Sequence, residues 1–175
     1  MSYQGEELKK VPDNLSFSMI YAVIVSGDGP NPCGHALLYV PFQKELSAGG
    51  GYYFQIAGVY KYPHIMDQKG YARYIDENGK DELSRYGVYL KNPDGAKKKL
   101  ESLVGEKWAW AVLPNNCAAF VEDVAKAGGS SAGLWSNCPS REKFERPFHE
   151  TIPEKINQQL NYLDRYIRWK MGVPL

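Results

Sequence analysis

The stretch LPNNCAAFVEDVAKAGG, residues 113–129, puts a cysteine where a helix should begin. Pro114 closes what precedes, Asn115 and Asn116 are capping residue types, and Gly128 and Gly129 supply a stop. A thiol on the first helical turn faces unpaired backbone N–H groups and the positive end of the helix dipole. Both favour the thiolate, the form that acts as a nucleophile. Phe120, Val121 and Val124 lie three, four and seven residues on, so Cys117 opens the core-facing stripe of that helix. Taken alone it reads more simply as a small buried hydrophobe, as most cysteines are. A nucleophilic thiol needs a base within reach, and the base needs a polar group to orient it. Of the three histidines, His35, His64 and His149, His35 has the most suggestive setting. It opens the apolar run HALLYV after the turn-forming loop GDGPNPCG, at a strand start where a side chain can face a cleft. The plain alternative is a loop histidine with no role.

The elements that must hold these residues can be read from periodicity. Strands are expected over 15–26, 35–40, 52–60, 84–90 and 108–113, from alternation and β-branched or aromatic content. Helices are expected over 92–106, 117–127 and 153–171. The last carries Ile156, Leu160, Leu163, Ile167 and Met171 at steps of three and four. Residues 1–14 read as a polar lead-in, 61–80 as mixed and irregular, and 130–148 as loop. The expectation is one α+β domain over 1–175, an antiparallel sheet packed against helices, with its core at about 15–129 and a C-terminal helix at about 153–171.

Composition narrows the functional classes. Hydrophobic residues make up 43% and charged residues 23%, enough apolar material for a core. Lys and Arg number 21 against 20 Asp and Glu, a net charge of +1, which disfavours nucleic acid as a partner. No run approaches the roughly 18 apolar residues of a membrane span. The polar start, 1–10, lacks the apolar stretch of a secretory signal, so synthesis in a cytosol is expected. Thirteen tyrosines suit a sheet-rich domain or a ligand-contacting groove. Three cysteines, Cys33, Cys117 and Cys138, do not describe a disulfide scaffold, although a Cys33–Cys138 bridge stays open. No Cys-x-x-Cys pair supports a metal site, and Gly49-Gly50-Gly51 lacks the Gly-Lys-Ser/Thr of a phosphate loop. No metal or cofactor is expected.

The motifs Gly34-His35-Ala-Leu-Leu-Tyr-Val and Asn116-Cys117-Ala-Ala-Phe-Val, in that order, resemble the circularly permuted papain-like superfamily. That superfamily includes NlpC-type cell-wall peptidases and amidases and the lecithin retinol acyltransferase-like proteins. The form Asn-Asn-Cys-Ala-x-Phe-Val followed by Ala-Gly-Gly also resembles papain-like domains of bacterial polymorphic toxins and secretion-system effectors. The resemblance spans about 16–129 and leaves the C-terminal helix uncovered. It implies a permuted papain-like fold and a cysteine hydrolase with Cys117 as nucleophile and His35 as base.

In that superfamily the third polar residue stands on the strand after the histidine strand. Here this is Gln55, where many relatives carry a second histidine; His64, past Pro63, is the fallback. The oxyanion donors would be the N–H of Cys117 and one further group, with Tyr21, Asn115 and Asn116 as candidates and Asn116 more simply a helix cap. The bond cleaved would be an amide, with peptidoglycan peptides the implied substrate. Such an antibacterial effector, of the kind moved by type VI secretion, would use a secretion carrier, act in a target-cell periplasm or host cell, and be blocked by an immunity protein. An acyl ester of a lipid is the alternative substrate, and a non-catalytic papain-like binding module the alternative class.

Overall fold

A computed structural model describes residues 2–27, 34–43, 50–57, 60–108 and 116–130. Within them the elements run β1 (Glu6–Glu7), β2 (Met19–Val25), β3 (His35–Pro41), β4 (Gly51–Gln55), β5 (His64–Met66), α1 (Gln68–Glu77), β6 (Glu82–Tyr89), α2 (Pro93–Ser102) and α3 (Cys117–Ala127). The six strands form one sheet in the order β1-β5-β4-β3-β2-β6, and every pairing is antiparallel. The architecture is therefore α+β, as the sequence suggests.

The central strands β2 and β3 are apolar on both faces because both faces are covered. Alternation sends Ile20, Ala22, Ile24, Ala36, Leu38, Val40 and Phe54 to the side of α2 and α3, where they meet Leu100, Phe120, Val121 and Val124. Val23, Val25, Leu37 and Tyr53 go to the other side and meet Tyr71 and Tyr74 of α1. The rings of Tyr53 and Tyr71 stack at 3.9 Å between centroids. At the rim of that cluster Tyr71 donates to Glu82 at 2.6 Å, while Arg85 bonds Glu82 and the Tyr53 hydroxyl, each at 2.9 Å. The Tyr71 hydroxyl is thus held strongly in its protonated form, chiefly by burial and then by its bond to Glu82.

Helix α2 begins where Asn92 accepts from the Gly95 N–H at 3.0 Å with Pro93 just inside. Its start is tied to the end of α3 by Asn92 N–H donating to the Gly128 carbonyl at 2.9 Å. A side chain at Gly95 would collide with the Ala127 carbonyl, so glycine sets how closely the two helices approach.

Two expectations need correction. Residues 61–80 are not irregular: they hold β5 and α1. Asp67 caps α1 by accepting from the Gly70 N–H at 2.7 Å. The buried stripe of α1 is Tyr71 and Tyr74, whose hydroxyls disguise it as polar sequence. The third strand is also shorter than 52–60, ending at Gln55. The expected strand over 108–113 lies outside the described residues beyond Trp108, as do the loop 131–148 and the helix 153–171. No helix among the described residues is long and apolar enough to cross a membrane.

Candidate active site

Cys117 is the first residue of α3, and the cap beneath it is Asn116. The Asn116 Oδ1 accepts from the N–H groups of Ala118 and Ala119 at 3.0 and 3.1 Å. That satisfies two of the orphan donors of the first turn and fixes the helix start. The residue is only 3% exposed, packed with Ala118, Phe120 and Val121 against β3. Its sulfur engages three main-chain N–H groups: its own, that of Ala118, and that of Ala36 across on β3. All three favour the thiolate, as expected for a helix start, yet burial outweighs them and pushes the thiol up to about 11. At neutral pH Cys117 is therefore a thiol.

His35 begins β3 directly after Gly34, whose φ is +72°. A side chain at Gly34 would collide with the Val25 carbonyl, so glycine is what lets the histidine end of β3 close against the end of β2. The His35 Nε2 is buried with no hydrogen-bond partner among the described residues, while the residue as a whole is half-buried. Burial holds the imidazole down to about 4, Gln55 works in the opposite direction, and the charge of Lys80 adds to the depression. At rest the ring is neutral.

Gln55 ends β4 and is fully buried. Phe54 opposes Leu38, so Gln55 lies one step further along, diagonal to His35 and on the same face. Its Nε2 donates to the main-chain carbonyl of Gln4 at 2.7 Å, and its Oε1 has no hydrogen-bond partner. His64 is not in a loop: it is the first residue of β5 and stands directly opposite Gln55. Its Nδ1 lies 2.9 Å from the Tyr62 carbonyl, and the Tyr60 ring meets it edge-on at 4.7 Å. Burial lowers its pKa.

The register therefore makes one polar row, His35, Gln55 and His64, on the α1 face of the sheet. Cys117 comes from the opposite face, and the two groups converge at the first peptide of β3, where the sulfur touches the Ala36 N–H. Direct proton transfer between them requires the imidazole to turn round the end of the strand.

The other candidates sort themselves. Tyr21 packs on the α1 face, with its ring 5.7 Å from that of Tyr39, and is not near the sulfur. The Asn116 side-chain oxygen is engaged in the cap. The main-chain N–H of Ala36 is a donor that residue types cannot disclose, because every residue but proline carries one. Asn115, Cys33, Cys138 and His149 lie outside the described residues. Among the described residues no group of three or more His, Cys, Asp or Glu is placed to hold a metal. Comparison with known proteins returns no match among protein-family models, curated proteins or solved structures.

Proposed function

We propose that this chain is a cysteine hydrolase of permuted papain-like type that cleaves an amide bond. Cys117 is the nucleophile, His35 the base and Gln55 the group that orients the imidazole. The observation that supports this reading most is the setting of the sulfur. It sits on the first turn of a side-chain-capped helix, among three main-chain donors, one of them on the residue next to His35, whose imidazole has Gln55 as its side-chain neighbour.

Because thiol and imidazole are both neutral at rest, the reaction starts without a preformed ion pair. Sγ attacks the carbonyl carbon as its proton passes to His35. In this reading the developing oxyanion is stabilised by main-chain N–H groups, with those of Cys117 and Ala36, which lie beside the sulfur, as the candidates. His35 then gives the proton to the departing amine. Water, deprotonated by the same ring, hydrolyses the thioester and restores the thiol. Peptide stems of peptidoglycan are the substrate most consistent with the sequence resemblance. The protein would then be an antibacterial effector handed over by a secretion carrier and restrained by an immunity protein.

The test in cells follows from topology. Expression in a bacterial cytosol should be tolerated, and the same chain fused to a periplasmic signal should lyse the cell. Cys117→Ala and His35→Ala should each abolish lysis while leaving the amount of folded protein unchanged. Toxicity confined to the cytosol would point instead to a lipid ester or a protein substrate. A second reading, a binding module without catalysis, is favoured by the approach of His35 and Cys117 from opposite faces of β3. Lysis that survives both substitutions would leave that reading standing.

A further inference from the structure

The N-terminal segment just before β1 crosses the α1 face of the sheet beside the polar row. Tyr3 N–H bonds Glu77 at 2.7 Å, and the Gln4 side chain reaches Asn78 at 2.7 Å, so the segment is tied to the end of α1. Gly5 has a φ of +88°, and a Cβ there would lie 2.8 Å from both the Ile65 carbonyl oxygen and Met66 Cγ. This close passage over β5 brings the Gln4 carbonyl to Gln55 Nε2 at 2.7 Å. A carbonyl accepts and never donates, so it can bind only the NH2 end of the amide. The oxygen end must then point away from Gln4. Gln55 is fully buried, its Oε1 has no partner, and the neighbouring imidazole presents a buried Nε2 that also has none. The Gln55 side chain also acts on the imidazole as a hydrogen-bonding neighbour, favouring its protonated form, and two buried polar atoms left without partners are costly unless one donates to the other.

We infer that the main-chain carbonyl of Gln4 is a positioning group for the site: by fixing the Gln55 amide with its oxygen toward His35, it holds the imidazole proton on Nε2 and leaves Nδ1 as the basic nitrogen. The N-terminal segment is then a functional strap. The inference rests on His35 serving as the base, but its readout needs no substrate, so it can fail while the hydrolase reading stands, and the reverse. The charged or titratable groups near the ring are Lys80, beyond α1, His64, opposite Gln55 on β5, and Cys117, a neutral thiol across the first peptide of β3. The measurement is therefore made at pH 7.5, where His35 and His64, both with lowered pKa values, are neutral.

The experiment is long-range 1H–15N NMR of the imidazoles in the 15N-labelled full chain, which reports the tautomer of each histidine, with assignment by His35→Gln. In the wild type His35 should carry its proton on Nε2. Gln55→Leu should move the tautomer ratio toward an even mixture by about fivefold or more, the worth of one hydrogen bond. Gly5→Ala, which must displace the Gln4 carbonyl while leaving Gln55 intact, should do the same. A chain beginning at Gly5 removes that carbonyl outright and replaces Gly5→Ala should that variant fail to give a folded amide spectrum. A wild-type ratio retained in a folded strap variant would overturn the role of Gln4. A wild-type proton on Nδ1, or a ratio indifferent to Gln55→Leu, would overturn the orientation itself.

Discussion

Alkylation of Cys117 as a function of pH measures the balance between burial and the main-chain donors around its sulfur. An ordinary cysteine titrates near 8.5 and is about 3% thiolate at pH 7. With the Cys117 thiol pushed up to about 11, the thiolate fraction at pH 7 falls to about one in ten thousand, roughly 300-fold less. A more basic thiolate is also a better nucleophile, and a Brønsted slope near 0.45 over that interval returns about a factor of ten. Cys117 should therefore react with iodoacetamide about 30-fold more slowly than free cysteine at pH 7. Limited access to a residue 3% exposed slows it further. The rate should climb tenfold per pH unit up to about pH 10. Peptide-resolved mass spectrometry of the full chain separates Cys117 from Cys33 and Cys138. A rate equal to that of free cysteine at pH 7, with a reactive plateau persisting below pH 6, would refute the reasoning, because it requires a thiolate–imidazolium pair at rest.

Three further outcomes follow from the same geometry. His35 is held near 4 against an ordinary value near 6.5, so the folded chain takes up its proton less readily than the unfolded chain. The resulting stability is present above pH 6.5 and is lost as pH falls through that window toward 4, by at most about 3 kcal/mol; urea titrations should show His35→Gln flattening this decline. Asn116→Ala removes the acceptor for two N–H groups of the first turn of α3 and should cost about 1 kcal/mol in chemical unfolding, with Asn116→Asp restoring most of it; no change on Asn116→Ala would mean that the cap is idle. Gly34→Ala combines a positive φ with a collision at the Val25 carbonyl and should cost several kcal/mol or prevent folding, read as lost soluble yield or melting temperature; wild-type stability would contradict the close approach of β2 and β3 that sets His35.

Much of this arrangement was legible because local chemistry dictates it. Asn116 before Cys117 and an apolar stripe is a helix start on residue types alone, and the structure has that helix over Cys117–Ala127. The β-branched and aromatic runs of β2 and β3 and the alternation of β6 marked these strands. Helix α1 escaped because its core face is built from tyrosines, and β5 because three residues, His64–Met66, are too few to carry a pattern. The candidate site could be proposed from its residue types, while its geometry was much less legible. Placing His35 and Cys117 on different faces depends on register, and a shift of one residue reverses it. The Ala36 N–H and the Gln4 carbonyl are main-chain groups with no signature in the side-chain alphabet. The dominance of burial over the helix start at Cys117 is likewise a property of packing, which the motif alone does not reveal.

The central claim is that Cys117 and His35 together break an amide bond, and its most direct measurement is product mass. Purified full chain, Cys117→Ala and His35→Ala are each incubated with peptidoglycan and, separately, with phospholipid vesicles, and the soluble products are weighed. The account predicts new peptide fragments, each heavier by one water across a single cleaved amide, from the unaltered chain on peptidoglycan. It also predicts a loss of at least about a thousandfold in rate for either substitution. Unchanged peptidoglycan together with deacylated lipid would move the site to esters, and an unaltered chain that releases nothing from either substrate would contradict the claim.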